Sequence, residues 1–370
     1  MKFLNIAFQL FSFVVSCFLL YPEHANARGS LGVSKWEETL LDELEQFEGE
    51  KAERQSWHLD RLLPVREDVQ YLGDEVIITW NVYLHYRMNF DSAQDVPVIR
   101  GKRAFMTRQM TTLDAQHRQA ALANYREWRD AMEVNIDSGV DTNERVQIRA
   151  ELDPDGVPRP ETLAIYLENA LGQFEPADSV FERIPTPAEL EFIAYQDMMA
   201  VFGPLAPINE MMPSGYNGTG AASYANSWTS SATAKVDCGK DSNGNTIWIA
   251  QDTSKYNKNY SYWKCTDCAN FVSQAMKENG IPTDNTWKPY TDAWVGVSKL
   301  ISWGTGTRKW TTVTSTTYSL GDIVRLDPNT ASHVMMTTAL TCPPIISAHT
   351  NDKKSVTYNP SSKDIFYHVK

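Results

Sequence analysis

The sequence predicts an α+β protein in which a cysteine-bearing helix packs on an antiparallel sheet. The predicted helix after residue 268 has apolar residues at the i, i+1, i+4 and i+5 spacing of a buried helical stripe, namely Phe271, Val272, Ala275 and Met276. Three short apolar segments with intervening turn residues follow it and predict strands, at 320–326, 332–338 and 345–350. Because both periodicities occur in one chain, we expect helices and strands to share a core.

Length and charge together predict two domains. The chain has 370 residues, enough for two domains of ordinary size. Residues 1–200 hold 19 Lys and Arg against 34 Asp and Glu, whereas residues 201–370 hold 15 against 12. We therefore predict an acidic α+β domain over 28–203, a Pro-containing linker over 204–214 and a second domain over 215–370. The acidic balance predicts no nucleic-acid partner, and the nearly neutral second half would not repel an anionic polymer.

The first 27 residues read as a secretory signal peptide. An apolar run from Ile6 to Leu20 follows Lys2 and leads to the small-residue sequence Ala25-Asn26-Ala27. The run is too short for a typical membrane span, and its end is typical of cleavage after Ala27. We therefore expect a secreted or cell-wall-associated protein with no integral membrane span after removal of the signal.

The acidic half shows regular elements but no catalytic constellation. Its histidines His58, His85 and His117 lack the spacing of metal ligands, and the sequence leaves open whether this half is a targeting module, a pro-region or a structural partner. The predicted elements are helices at Trp36–Gln55 and Leu113–Val134, strands at Glu75–Phe90 and Arg145–Leu152, and a helix ending near Gly203 that the Thr186–Glu189 capping box opens.

Cys268 is the candidate nucleophile because it stands at the predicted start of a helix. Unpaired N–H groups and the helix dipole stabilise an anion at that place, so we expect a lowered thiol pKa. His333, at the start of a predicted strand, is the candidate base. A third polar group would hold the imidazole.

Negative charge on a reacting carbonyl oxygen needs hydrogen-bond donors. The backbone N–H of Cys268 is the expected donor because amides at a helix start point toward such a charge. Asp267 could shape the same place. Chemistry of this kind requires no metal and no cofactor.

Five separated motifs resemble a known family. Asp267-Cys268-x-Asn270-Phe271-Val272-Ser273-Gln274-Ala275, Trp294, Gly321-Asp322-Ile323-Val324, Ser332-His333-Val334 and His349-Thr350 are similar to the bacterial putative amidase domain family, relatives of the CHAP and NlpC-type cell-wall hydrolases. The resemblance covers roughly residues 214–370. It implies a papain-like fold with Cys268 as nucleophile, His333 as base and His349 near the place of the third residue. Asn351, two positions after His349, is the competing candidate for that place. It also implies hydrolysis of an amide, in bacterial cell-wall peptide or a related substrate.

The cysteines leave alternatives open. After the predicted signal peptide the chain has four cysteines. If Cys268 is the nucleophile, the other three, Cys238, Cys265 and Cys342, compete for one disulfide. The two pairings considered are Cys238–Cys265 and Cys265–Cys342. Cys265 and Cys268 also form a C-x-x-C, which would suit a thiol–disulfide exchange protein. In redox pairs the first cysteine usually is the reactive one, and here the second leads the helix. A non-catalytic cell-wall-binding module is the other alternative.

Overall fold

The computed structural model describes residues 35–206, 215–231, 234–240, 244–329 and 332–370. The predicted signal peptide, residues 1–27, lies outside the described residues, as do positions 207–214 of the predicted linker. The chain divides into two compact units, residues 1–43 and residues 44–370. Helix α1 (Lys35–Arg54) begins in the first unit, and all the elements after it belong to the second.

The second unit contains the strands and eight further helices of the described chain. After α1 the helices are α2 (Pro97–Gln109), α3 (Ala115–Ser138), α4 (Ala177–Arg183), α5 (Pro187–Phe202), α6 (Gly218–Ser227), α7 (Cys268–Glu278), α8 (Asp292–Val295) and α9 (Val297–Gly306). The strands are β1 (Trp57–Leu72), β2 (Glu75–Met88), β3 (Val140–Glu151), β4 (Ala164–Glu168), β5 (Phe174–Pro176), β6 (Lys235–Lys240), β7 (Thr246–Ala250), β8 (Thr311–Val313), β9 (Ile323–Arg325), β10 (Val334–Ala339), β11 (Ile345–Ala348), β12 (Lys353–Thr357) and β13 (Ile365–His368). Within the described residues no helix is long and apolar enough to cross a membrane.

One large, mostly antiparallel sheet organises these elements. It has 11 strands, with the order β1-β2-β3-β12-β11-β10-β9-β13-β8 and with β4 and β5 attached beside β3. The pairing of β3 with β12, at Asn143 and Val356, is parallel. Strands β6 and β7 form a separate hairpin. The predicted α+β class with an antiparallel sheet is therefore confirmed.

The long elements of the acidic half lie where their sequence patterns predict. Strand β2 follows the alternation from Glu75, and α5 begins with a complete capping box between Thr186 and Glu189. Strand β1, which forms a long hairpin with β2, was not predicted from the sequence. Strand β1 is an edge strand with two register shifts and with Pro64 near its middle, features that only an edge tolerates well. Its sequence therefore lacks the clean alternation of a central strand.

The sheet joins the acidic half to the C-terminal half directly. Beside the parallel pairing, the hydroxyl of Thr142 donates to the Ser355 carbonyl oxygen (2.9 Å), and the Asn143 amide donates to that of Lys354 (2.6 Å). On helix α3, the indole N–H of Trp128 donates to the carbonyl oxygen of Tyr318 (2.9 Å). A separate N-terminal domain is thus not confirmed, because strands of both halves form one sheet and Trp128 of the acidic half is buried against Tyr318 of the C-terminal half.

Replacing Trp128 by alanine should destabilise the protein strongly. Its ring is fully buried against Tyr318, with centroids 5.2 Å apart, so the substitution removes a large apolar group and a hydrogen bond between the halves. We expect the free energy of unfolding, measured by guanidinium titration, to fall by about 3–5 kcal/mol. Val134→Ala on the same helix is the control, since Val134 is 62% exposed. Equal effects of the two substitutions would contradict this account of the junction.

Candidate active site

Cys268 is the first residue of helix α7, as predicted. Asp267 precedes the helix as its N-cap residue, and the helix ends at Glu278, shortly before Gly280, whose φ of 108° L residues rarely adopt. The helix packs against α6, β10 and β11. The start of the helix therefore lies at the sheet, with the thiol of Cys268 only 4% exposed.

Helix α7 is buried on every side over its first nine residues, more completely than the predicted apolar stripe requires. Its polar side chains are satisfied by aromatic donors. The indole N–H of Trp294 donates to Asn270 Oδ1 (2.6 Å), and that of Trp287 donates to Ser273 Oγ (3.1 Å). The Tyr224 hydroxyl donates to Gln274 Oε1 (3.0 Å). Hydrogen bonding thus makes a helix with polar positions compatible with a dry core.

The thiol of Cys268 lies against the chain segment that carries His333. Its Sγ contacts the carbonyl oxygen of Ser332 at 4.0 Å, and the backbone N–H of Val334 also faces the sulfur. His333 stands between these two residues, directly before β10, and is itself buried. Its Nε2 has no hydrogen-bond partner in the described chain. The structure therefore brings the predicted nucleophile and the predicted base to the same point on the sheet.

Burial determines the charge states of both groups. It raises the pKa of Cys268 to about 11, although nearby backbone N–H groups lower it, and it lowers the pKa of His333 to about 4. At neutral pH the free protein then holds a thiol and a neutral imidazole. This differs from the lowered thiol pKa predicted from the helix start alone, because the sequence pattern does not reveal how completely the sulfur is removed from water.

His349 contacts Asp267 and not His333. Its Nδ1 lies 2.6 Å from Asp267 Oδ2, and its Nε2 lies 2.6 Å from the carbonyl oxygen of Trp228. The ring is stacked between those of Tyr256 (centroids 3.8 Å apart) and Phe271 (4.0 Å apart), and it is 1% exposed. Both ring nitrogens are thereby occupied away from the base.

Asn351, the competing third residue, also has no hydrogen bond to His333 among the described residues. It adopts a left-handed backbone conformation (φ 69°), and its buried Nδ2 lacks a partner. The amide lies beside Gly172 of the β4–β5 turn, so close that a Cβ atom added there would be 2.7 Å from Nδ2. A turn of the acidic half is therefore packed next to this residue.

Several motif residues meet around the turn that leads into Cys268. Asp267 Oδ1 accepts hydrogen bonds from the Trp263 backbone N–H (2.9 Å) and from Asn270 Nδ2 (2.8 Å). The backbone N–H of Asp267 donates to Thr350 Oγ1 (2.7 Å). Together with the contact to His349, these hydrogen bonds of Asp267 connect the turn at Trp263, helix α7 and the residues that follow strand β11. Motifs that are far apart in the sequence are thus parts of one hydrogen-bonded network.

A disulfide holds the β6–β7 hairpin to the same turn. It joins Cys238 on β6 to Cys265, three residues before Cys268. This is one of the two predicted pairings. Cys342, the third disulfide candidate, has a free thiol that packs in a different place, beside the carbonyl oxygen of Ser315. The two cysteines of the C-x-x-C are not bonded to each other, since Cys265 is occupied.

Two buried residues that support this turn carry no signal in the sequence. Gln251 Oε1 accepts from the Tyr262 hydroxyl (2.8 Å) and from the backbone N–H of Cys265 (3.3 Å), and its Nε2 has no partner in the described chain. Asp352 Oδ1 accepts from the hydroxyl of Tyr256 (2.7 Å). Neither Gln251 nor Asp352 belongs to a motif with diagnostic spacing, so only the fold places them at the site.

The raised thiol pKa predicts slow alkylation of Cys268 at neutral pH. Only the thiolate reacts with iodoacetamide, so in the non-reduced protein the labelling rate should rise about tenfold per pH unit from pH 6 to pH 10. Mass mapping identifies the labelled cysteine, and Cys342, whose pKa burial raises to about 12, is the internal control. A rate that is already constant below pH 7 would instead reveal a stable thiolate–imidazolium pair.

Comparison with known proteins finds similarity in the part of the chain that holds this site. Residues 215–369 match the model of a family described as "Putative amidase domain". The "Uncharacterized protein YjcM" of Bacillus subtilis (strain 168) is 49% identical over 78 residues, which is 20% of this chain and 19% of that protein. The chain therefore spans only about a fifth of that relative. No solved structure matches. The domain match suggests hydrolysis of amide bonds.

Proposed function

We propose that this protein is a cysteine amidase or peptidase with Cys268 as nucleophile and His333 as general base. The observation that carries the proposal is the position of Cys268. It is the first residue of a buried helix, and its sulfur lies against the backbone on both sides of His333. A cysteine helix packed on a histidine-bearing antiparallel sheet fits a papain-like arrangement, and the amidase-domain match supports the same class of reaction.

The first half of the reaction acylates the enzyme. The Cys268 sulfur attacks the amide carbonyl carbon while its proton passes to His333. The Cys268 thiol and the His333 imidazole are both neutral at rest. The proton is therefore transferred during the attack, as in enzymes whose nucleophile is a hydroxyl group, and no preformed thiolate is needed. The imidazolium then gives the proton to the leaving amine, the carbon–nitrogen bond breaks, and a thioester to Cys268 remains.

The second half releases the acid. Water attacks the thioester carbonyl and gives a proton to His333. The tetrahedral intermediate then expels the sulfur, which recovers its proton from the imidazolium. In both halves the oxyanion would be bound by the backbone N–H of Cys268, since the first N–H groups of a helix have no intrahelical partner. Asp267 would shape this place indirectly, because its carboxylate already accepts hydrogen bonds from the turn and the helix.

Asn351 is the better of the two candidates for a third catalytic member. A group that orients His333 must have a hydrogen-bonding atom to spare. Both nitrogens of His349 are occupied, whereas the buried side-chain amide of Asn351 has an atom without a partner in the described chain. Rotation of this amide by 180° would present its oxygen, the acceptor that the N–H of an orienting imidazole requires. We therefore propose the set Cys268, His333 and Asn351, with His349 in a different role.

The proposed substrate is a bacterial cell-wall peptide, and the proposed location is outside the cytoplasm. The sequence of residues 1–27 supports export, and the Cys238–Cys265 disulfide is compatible with an oxidising environment. The nearly neutral second half would tolerate an anionic wall polymer. Thiol–disulfide exchange lacks comparable support, because Cys265 is bonded to Cys238 and not to the neighbouring Cys268.

Substitution of either proposed catalytic residue should abolish hydrolysis. We expect Cys268→Ala and His333→Ala each to lower kcat/KM by at least about 10³-fold on peptide amides or peptidoglycan fragments, measured by amine release. Cys342→Ala, which removes the other free thiol, is the matched control and should stay near wild type.

Circular dichroism and thermal unfolding check that the variants are folded. Full activity in Cys268→Ala would refute the cysteine mechanism. A wild-type protein that binds peptidoglycan but hydrolyses neither substrate would instead favour the non-catalytic binding module.

A further inference from the structure

We infer that His349 is a doubly protonated positioning residue that clamps Asp267 and thereby fixes the turn in front of Cys268. The inference rests on the proposed function only in taking Cys268 as the nucleophile. It gives His349 a role different from that of a third catalytic member beside His333.

The partners of the ring require two N–H groups. Nε2 faces the carbonyl oxygen of Trp228, which can only accept, so Nε2 must carry a proton. Nδ1 faces the carboxylate of Asp267 at 2.6 Å. If that carboxylate is ionised, Nδ1 must also donate, and the ring is an imidazolium. A neutral ring is compatible with these contacts only if the proton sits on Asp267.

The other partners of Asp267 favour the ionised carboxylate. Its Oδ1 accepts two N–H groups, from the Trp263 backbone (2.9 Å) and from the Asn270 side chain (2.8 Å). Hydrogen bonds donated to a carboxylate stabilise its charged form. Oδ1 thus accepts two hydrogen bonds whichever atom holds the proton shared with Oδ2, and these bonds favour the arrangement with the negative charge on Asp267 and the proton on His349.

The surroundings of the ring compensate the cost of burying a cation. The faces of Tyr256 and Phe271 lie on its two sides, an arrangement that attracts a positive charge. The charged or titratable groups that face the ring are Asp267, the buried carboxylate of Asp352 and the hydroxyl-bearing ring of Tyr256. Burial raises the pKa of Asp352 to about 6 although His349 lowers it, so Asp352 is mostly ionised at pH 7 and adds a second negative charge.

The clamp has two points of contact on one residue. His349 holds the side chain of Asp267, and the next residue, Thr350, accepts a hydrogen bond from its backbone N–H (2.7 Å). Both follow strand β11, which pairs with β10, the strand directly after His333. The clamp therefore ties the start of the nucleophile helix to the sheet strands beside the base. This is positioning, since His349 need not touch the substrate.

The protonation state can be read directly by NMR on the full chain with ¹⁵N-labelled histidine. We expect His349 to show protons on both nitrogens at neutral pH, and the exposed ring of His58 provides the reference signal in the same spectrum. In Asp267→Asn, which keeps the size and removes the charge, the ring should lose one proton at the same pH. A singly protonated His349 ring in the wild-type protein at pH 6–8 would overturn the inference.

Kinetics test the positioning role separately. His349→Gln can replace only one of the two N–H donors, so kcat should fall about 10- to 100-fold, as misplaced catalytic groups do, with KM little changed. His58→Gln is the control on an exposed histidine. An unchanged kcat in a folded His349→Gln protein would also overturn the inference. Failure of the proposed function would appear differently, as a wild-type protein without hydrolysis that still has the doubly protonated ring.

Discussion

The carboxylate of Asp267 is the interaction on which the arrangement of the candidate site depends. It sits between the turn at Trp263, the side chain of Asn270 on helix α7 and the imidazole of His349 beyond strand β11. With 1% exposure it has no access to water, so these three partners replace its hydration. Loss of any one of them would leave a buried polar group unsatisfied, which couples the turn, the helix and the sheet energetically. Because Cys268 directly follows Asp267, the same hydrogen bonds also restrict the position of its sulfur.

The same burial that makes the network rigid sets a cost for catalysis. A dry surrounding disfavours both the thiolate of Cys268 and the imidazolium of His333, so the resting pair is neutral. A neutral resting pair is compatible with catalysis in a preorganised site if the charges appear only during attack. The thiolate and the imidazolium would then stabilise each other, and backbone N–H groups would bind the oxyanion. Under the proposed function, proton transfer and attack would therefore occur together.

The sequence predicts the local parts of this site better than their connections. Helix α7, its start at Cys268 and the strand after His333 follow from apolar periodicity and turn residues, which are local properties. The sequence places His349 correctly at the end of a strand, but its partner, Asp267, is 82 positions away in the chain, and no periodicity encodes such a contact. Gln251 and Asp352 were missed for the same reason. The raised thiol pKa depends on how helices and sheet cover the sulfur, which a single segment cannot show.

The junction between the two halves shows the same difference between local sequence patterns, which can be predicted, and long-range contacts, which cannot. The shift in charge near residue 200 predicts two domains, and it describes the surface of the chain accurately. Pairing of β3 with β12 and burial of Trp128 against Tyr318 are long-range contacts, and they extend one sheet across that boundary. The turn with Gly172, packed on Asn351, brings the acidic half close to the candidate site. An acidic composition is thus compatible with a structural role beside the C-terminal half.

The most direct test of the central claim is to trap the covalent intermediate. The protein would be mixed with an activated peptide ester, quenched in acid within the first turnovers and analysed by intact mass and peptide mapping. We expect one acyl group per chain, attached as a thioester to Cys268 and absent when His333 is replaced by alanine. Steady hydrolysis without an acyl group on Cys268, or with the acyl group on another residue, would contradict it.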